Sequence, residues 1–222
     1  SVTLAIGTNP AGGTLSGTTT VAAVAGVATF PGLSINTAGT GYTLTASSGA
    51  LTGATSTAFN ITVGAPAQLA FGQQPGNTAG GAAIAPAPTV RILDAGGNLT
   101  GSTASVTLAI GSNPSGGTLS GTATVTAVAG VASFPGLSIN TAGNGYTLAA
   151  SSSGLAGTTS AAFNITVGAA AQLAFGQQPT DAVANQAIAP APTVRILDAG
   201  GNLTTSTANV TLAIGANPGG ST

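Results

Sequence analysis

Apolar residues alternate with small polar ones along most of this chain, with the two-residue period of a strand that buries one face. Val106, Leu108 and Ile110 interleave with Thr107 and Ala109. Phe163, Ile165 and Val167 interleave with Asn164 and Thr166, which are thereby expected to point outward. Leu69 and Phe71 share one face of a short run, and Tyr146-Thr-Leu-Ala-Ala150 alternates again. No segment shows the 3.6-residue period of an amphipathic helix. In the central part of the chain, strands are predicted over residues 68–71, 90–94, 105–110, 118–127, 130–134, 137–139, 146–150 and 163–167. Phe134 and Leu137 fall out of register across Pro135-Gly136, which predicts a bulge or a switch of sheet there.

The strongest local signal is the stretch from Ala83 to Thr100, AIAPAPTVRILDAGGNLT, which returns unchanged from Ala187 to Thr204. Pro86 and Pro88 favour an extended lead and forbid a helix. Thr89, Val90, Ile92 and Leu93 suit a pleated strand. Asp94-Ala-Gly96-Gly97-Asn98 then has the chemistry of a turn, as do Asp198, Gly200 and Gly201 in the copy: glycine tolerates positive φ, and Asp and Asn bond nearby backbone. Positive φ is predicted at one or more of these four glycines.

Self-comparison gives an offset of 104 residues with no gap, and 83 of 104 positions match between 1–104 and 105–208. Residues 209–222 begin a third copy. A period near 100 residues is too long for a solenoid unit and suits one β-sandwich. The runs Val63-Gly-Ala-Pro-Ala-Gln and Val167-Gly-Ala-Ala-Ala-Gln read as linkers, so the predicted units are 1–64, 65–168 and 169–222: the back of one repeat, a whole repeat, and the front of the next. Five of the differences cluster at Gly76–Gly80 against Thr180–Ala184, which predicts an exposed loop. The expected fold class is all-β, with tandem antiparallel sandwich domains.

Composition removes most chemistry. Charged residues make up 2% of the chain, and Lys, Glu, His, Cys, Met and Trp are absent. With no His, Cys, Lys or Glu to act as base, nucleophile or metal ligand, an enzyme, a cofactor and a metal site are not expected. Arg91 and Asp94 are three apart and point to opposite faces of a strand, Asp94 as a turn cap. Half of a calcium site at Asp94 lacks the carboxylates such a site gathers. With no basic patch, no nucleic-acid partner is expected. No apolar run is long enough to span a bilayer, so no membrane insertion is expected, and the missing initiator Met and signal peptide suggest an excerpt of something longer. Asn60, Asn98, Asn164, Asn202 and Asn209 stand in Asn-x-Thr triplets and are candidate carriers of covalent glycan, although a Thr-rich chain generates such triplets by composition alone. Tyr42 and Tyr146 each follow Asn-Thr-Ala-Gly-x-Gly and read either as a tyrosine corner or as a half-buried core residue.

The order Val90-Arg-Ile-Leu-Asp94-Ala-Gly-Gly97-Asn98, Val106-Thr-Leu, Gly117-Thr-Leu119-Ser-Gly, Gly130-Val-Ala, Leu137 and Gly145-Tyr146-Thr-Leu148-Ala-Ala150 resembles the bacterial immunoglobulin-like repeats found in tandem in surface proteins, including the stalks of invasin- and intimin-type adhesins. The resemblance covers about the whole 104-residue unit. It implies an immunoglobulin-like sandwich, an extracellular or cell-surface location on a bacterium, and a spacer or load-carrying role. The near absence of charge departs from that pattern and leaves a surface poor at keeping free chains apart, which favours coverage by neighbouring copies or by sugar. The leading expectation is a structural protein of an extracellular fibre or surface layer, and the alternative is an adhesin stalk whose binding head lies elsewhere. A carbohydrate-binding module would want more exposed aromatics. Two origins of a fibre are open: one continuous covalent array, or separate chains in which the tail of one completes the head of the next by strand addition.

Overall fold

The computed structural model describes residues 1–216. The described chain is all-β, with no helix, and its pairings are antiparallel apart from two short parallel contacts. In the central part, Ser105–Ile110 lies between Thr124–Thr126 and Leu148–Ser151, and Thr158–Thr159 extends the sheet beyond the latter. Thr89–Leu93 lies between Gln68–Gln73 and Val131–Ser133. Phe163–Thr166 lies between Gly143–Tyr146 and Thr78–Ala79.

The buried faces of these sheets meet in one core. Leu69, Val90, Ile92 and Ala132 come from one side, Val106, Leu108, Leu148 and Ala150 from another, and Phe134, Tyr146, Phe163 and Ile165 fill the space with aromatic and branched bulk. The alternation anticipated this for Val106 and Leu108, whose outward neighbour Thr107 bonds Thr124 across the sheet at 2.9 Å. Tyr146 is fully buried, its ring 6.3 Å from that of Phe163, and its hydroxyl donates to the Thr141 carbonyl at 2.9 Å. Tyr42 repeats that bond to Thr37 at 2.9 Å.

Residues before and after the central part repeat its registers. Val2 faces Val21 as Val106 faces Val125, and Leu4 faces Ala46 as Leu108 faces Ala150. Gln172–Gln177 pairs with Thr193–Leu197 as Gln68–Gln73 pairs with Thr89–Leu93. Burial does not repeat. Leu69 is 5% exposed and its counterpart Leu173 58%; Leu108 is 2% exposed and Leu212 58%. The same side chain is sealed where two sheets face each other and open where the described chain supplies one.

Several expected elements differ. Residues 118–127 form two strands, Leu119–Ser120 and Thr124–Thr126, split at Gly121 with φ 100°. A Cβ on Gly121 would stand 2.6 Å from the Gly136 carbonyl oxygen, so glycine is required there, and its positive φ ends the extended run. Residues 146–150 also divide, because Gly143–Tyr146 pairs with Phe163–Thr166 whereas Leu148–Ser151 pairs with Ser105–Ile110. At Pro135-Gly136 the chain switches sheet: Val131–Ser133 pairs with the strand Thr89–Leu93 and Ser138–Ile139 with Leu119–Ser120. Val167 is 47% exposed, because the strand ends at Thr166.

The predicted loop at Gly76–Gly80 is instead built in. Thr78 and Ala79 pair in parallel with Ile165 and Thr166, and Asn77 Oδ1 accepts the Asn164 amide at 2.8 Å. Gly80 is buried. A strand of two residues, Thr78–Ala79, is too short for alternation to show, so this edge strand was not visible in the pattern.

Candidate functional site

The hairpin turn Asp94–Asn98 closes on itself before it touches anything else. The Asp94 amide donates to the Asn98 carbonyl at 2.9 Å and the Gly97 amide to the Asp94 carbonyl at 3.2 Å. Asp94 Oδ1 accepts the Asn98 amide at 2.8 Å, and Asn98 Nδ2 lies 3.0 Å from both carboxylate oxygens. Asp94 is buried, so these donors replace its water.

The remaining bonding capacity points at the residues before 65. Asp94 Oδ2 accepts the Gly64 amide at 2.8 Å. Asn98 Nδ2 donates to the Asn36 carbonyl at 2.8 Å, and Asn98 Oδ1 accepts the Ala38 amide at 2.9 Å. Residues 36–38 are themselves held: Asn36 Oδ1 accepts the Thr14 amide at 2.7 Å, and the Tyr42 hydroxyl grips Thr37. Gln68 Nε2 donates to the Asp94 carbonyl at 2.9 Å, tying the first strand of the hairpin into the same cluster.

Every one of these bonds recurs 104 residues later. Gly168 donates to Asp198 Oδ2 at 2.7 Å, Asn202 Nδ2 to the Asn140 carbonyl at 2.8 Å, and Ala142 to Asn202 Oδ1 at 2.8 Å. Asn202 donates to Asp198 through its amide at 2.8 Å and its Nδ2 at 3.0 Å, and Gly200 adds a bond of 2.9 Å. The Thr118 amide holds Asn140 and the Tyr146 hydroxyl holds Thr141, as at the first joint.

These donors set the ionisation of both acids. The Gly64 amide, then the side chain and amide of Asn98, hold the Asp94 carboxyl down at about 2. For Asp198, burial pushes upward, but the hydrogen bonds from Gly168, Asn202 and Gly200 outweigh it and the net shift is downward. Among the described residues no group of three acidic, His or Cys side chains gathers, and the Asp94 oxygens face N–H donors, an arrangement suited to a carboxylate and not to a cation.

The paired glycines divide the work. Gly97 and Gly201 have φ of 89° and 87°, whereas Gly96 and Gly200 are not left-handed. A Cβ on Gly96 would press on the Asn36 carbonyl, and one on Gly200 on the Asn140 carbonyl. The first glycine of each pair therefore permits close approach and the second permits the turn.

Two of the candidate glycan positions are committed elsewhere. Nδ2 of Asn98 and of Asn202, the atom a glycan would take, donates across the joint. Asn60 and Asn209 are exposed; Asn164 is half-buried, its Oδ1 accepting the Gly145 amide at 3.0 Å. Arg91 is exposed on the outer face of its strand. The runs read as linkers are clamped: Gly64 by Asp94, and Ala67 by the Leu93 carbonyl at 2.8 Å. Asn36, Ala38 and Gly64 carry no signal of a joint in the sequence, because their partners lie 62, 60 and 30 residues away.

The first joint also contains an open cleft of about 620 Å³, lined by Asn36, Ile61, Gly64, Asp94, Gly96 and Asn98 among others. Asp94 is the one titratable residue in its wall, and its carboxylate is already saturated with donors.

No protein-family model matches the chain, and no curated protein matches it. Among solved structures, it is similar to a β-glucuronidase of Parabacteroides merdae, at 18% identity over 53% of this chain and 16% of that one, with a TM-score of 0.32. Another is the surface-layer protein SbsC, domains 4–9, at 16% identity over 91% of this chain and 28% of that one, with a TM-score of 0.35. The chain thus spans well under a third of the length of either structure.

Proposed function

We propose that this chain is structural: part of an extracellular fibre or surface layer built from tandem immunoglobulin-like repeats, in which each repeat grips the one before it through its Asp–Asn hairpin. The observation that carries the reading is that one joint is built twice, from the same donors and acceptors 104 residues apart. A flexible tether would leave the residues around Gly64 and Gly168 free, whereas here both glycines donate into a buried carboxylate. Of the three acidic side chains, Asp94 and Asp198 sit in the hairpin turns, and both are used to hold backbone. The stalk of a bacterial cell-surface adhesin would use the same joint, and the resemblance of the repeat to such stalks supports that second reading.

The test is the covalent mass of the native assembly under denaturing conditions, read beside electron microscopy. Filaments whose chains far exceed 20.5 kDa support a continuous array of repeats. Filaments that dissolve into chains of 20.5 kDa support strand exchange between copies. Dispersed monomers of that smaller mass, with no filaments, overturn the structural reading.

A further inference from the structure

The two joints share their hydrogen bonds, and at the second joint residues 78–81 pack against the hairpin as well. The Gly80 amide donates to the Thr166 carbonyl at 2.9 Å and the Gly81 amide to the Ile139 carbonyl at 2.9 Å, which stretches this segment along the end of its own repeat. Its outer side meets the next hairpin. A Cβ on Gly80 would press on Asn202 Nδ2 and stand 2.6 Å from the Asn140 carbonyl oxygen. A Cβ on Gly81 would lie 2.9 Å from the Gly200 nitrogen and from the Ala199 carbonyl carbon, and one on Gly200 would lie 2.7 Å from the carbonyl carbon of Gly80. Gly81 thus faces the Ala199–Gly200 backbone across the joint, whereas Gly80 meets the Asn202 side chain there and the Asn140 carbonyl of its own repeat.

This is also where the copies diverge most. Gly80 and Gly81 correspond to Ala184 and Asn185 in the following copy, whereas the two hairpin turns of the chain, Asp94–Asn98 and Asp198–Asn202, are identical. Asn185 keeps the left-handed conformation, with φ 63° against 77° for Gly81, so the backbone shape survives the change while the two missing Cβ atoms return.

From this contrast we infer that residues 76–82 set the fit of each joint, copy by copy. A repeat carrying Gly-Gly seats the next hairpin tightly, and a repeat carrying Ala-Asn holds it at a greater distance and with more freedom. The partner of this surface is the Asp-Ala-Gly-Gly-Asn turn of another repeat. The inference rests on the proposed role of the hairpin as a joint and adds that the joints along a fibre are not equivalent.

The chain has no cysteine, so spin labels go only where cysteines are introduced. Ser153 and Thr205 are exposed on either side of the second joint, and Thr122 and Ser153 are exposed within the central repeat. Pulsed electron resonance on the full chain labelled at S153C and T205C should give one narrow distance distribution. With G80A and G81N added, that distribution should broaden about twofold or more, as for domains released from a close interface, while the T122C and S153C pair stays unchanged. An unchanged distribution across the joint overturns the inference while leaving the joint itself intact. Broadening of both pairs also overturns it, since the glycines would then serve the repeat's own fold. A broad distribution across the joint before any substitution at Gly80 and Gly81 defeats the joint, and the inference with it.

Discussion

Asp94 meets N–H donors on both carboxylate oxygens, and that arrangement ties the joint to acidity. A carboxyl whose value falls on folding contributes stability that is fully present above its unfolded value and is lost as the pH drops through its folded one. For Asp94 that window runs from 3.8 down to about 2. The amide resonance of Gly64 should therefore titrate with a midpoint near the lower figure, and the bond across the joint should persist at pH 3.8. A Gly64 midpoint at the ordinary carboxylate value would show that the bond to Asp94 does not form in solution.

At the scale of the element, the hairpin combines two requirements that one pair of substitutions separates. Nothing lies within 4 Å of a Cβ placed on Gly97, so Gly97→Val adds backbone strain alone and should lower stability by about 1–2 kcal/mol. Gly96→Ala leaves φ unstrained but drives a methyl group into the Asn36 carbonyl. Its expected signature is local: hydrogen exchange at Ala38 and Gly64 quickens, while the amides of Thr89–Leu93 keep their protection. Uniform loss of protection from Gly96→Ala would mean that the turn and the joint are a single cooperative unit.

The hairpin was largely legible in the sequence, because turn chemistry acts over four or five residues and Asp94, Gly97 and Asn98 each supply one part of it. The inward face of Ser105–Ile110 was legible for a similar reason, since period-two alternation follows directly from the pleat. What the hairpin touches was hidden. Asn36 and Ala38 sit in a run whose visible landmark is Tyr42, and no local pattern announces a partner about 60 residues away. The division of residues 146–150 between two sheets was hidden too, because alternation reports which face is buried and not which neighbour is paired.

Across the whole molecule, two joints of the same construction hold with hardly any charge to stabilise or disrupt them. Each consists of amides bonded to a carboxylate or a carbonyl, with no cation opposite the acid. Salt near 1 M shortens the screening length to about 3 Å and weakens contacts that depend on opposed surface charges. The distance distribution between labels at Ser153 and Thr205 should therefore be the same in low and high salt. Broadening at high salt would place the stability of the joint in long-range electrostatics.

Residues 65–168 carry both halves of a joint: the hairpin turn Asp94–Asn98, and Asn140, Ala142 and Gly168, which receive the turn of Asp198 and Asn202. A recombination event that gains or loses a whole unit therefore leaves every remaining joint with both of its halves. An array built this way would change its length in whole-unit steps, and no step would leave a hairpin without the residues that receive it.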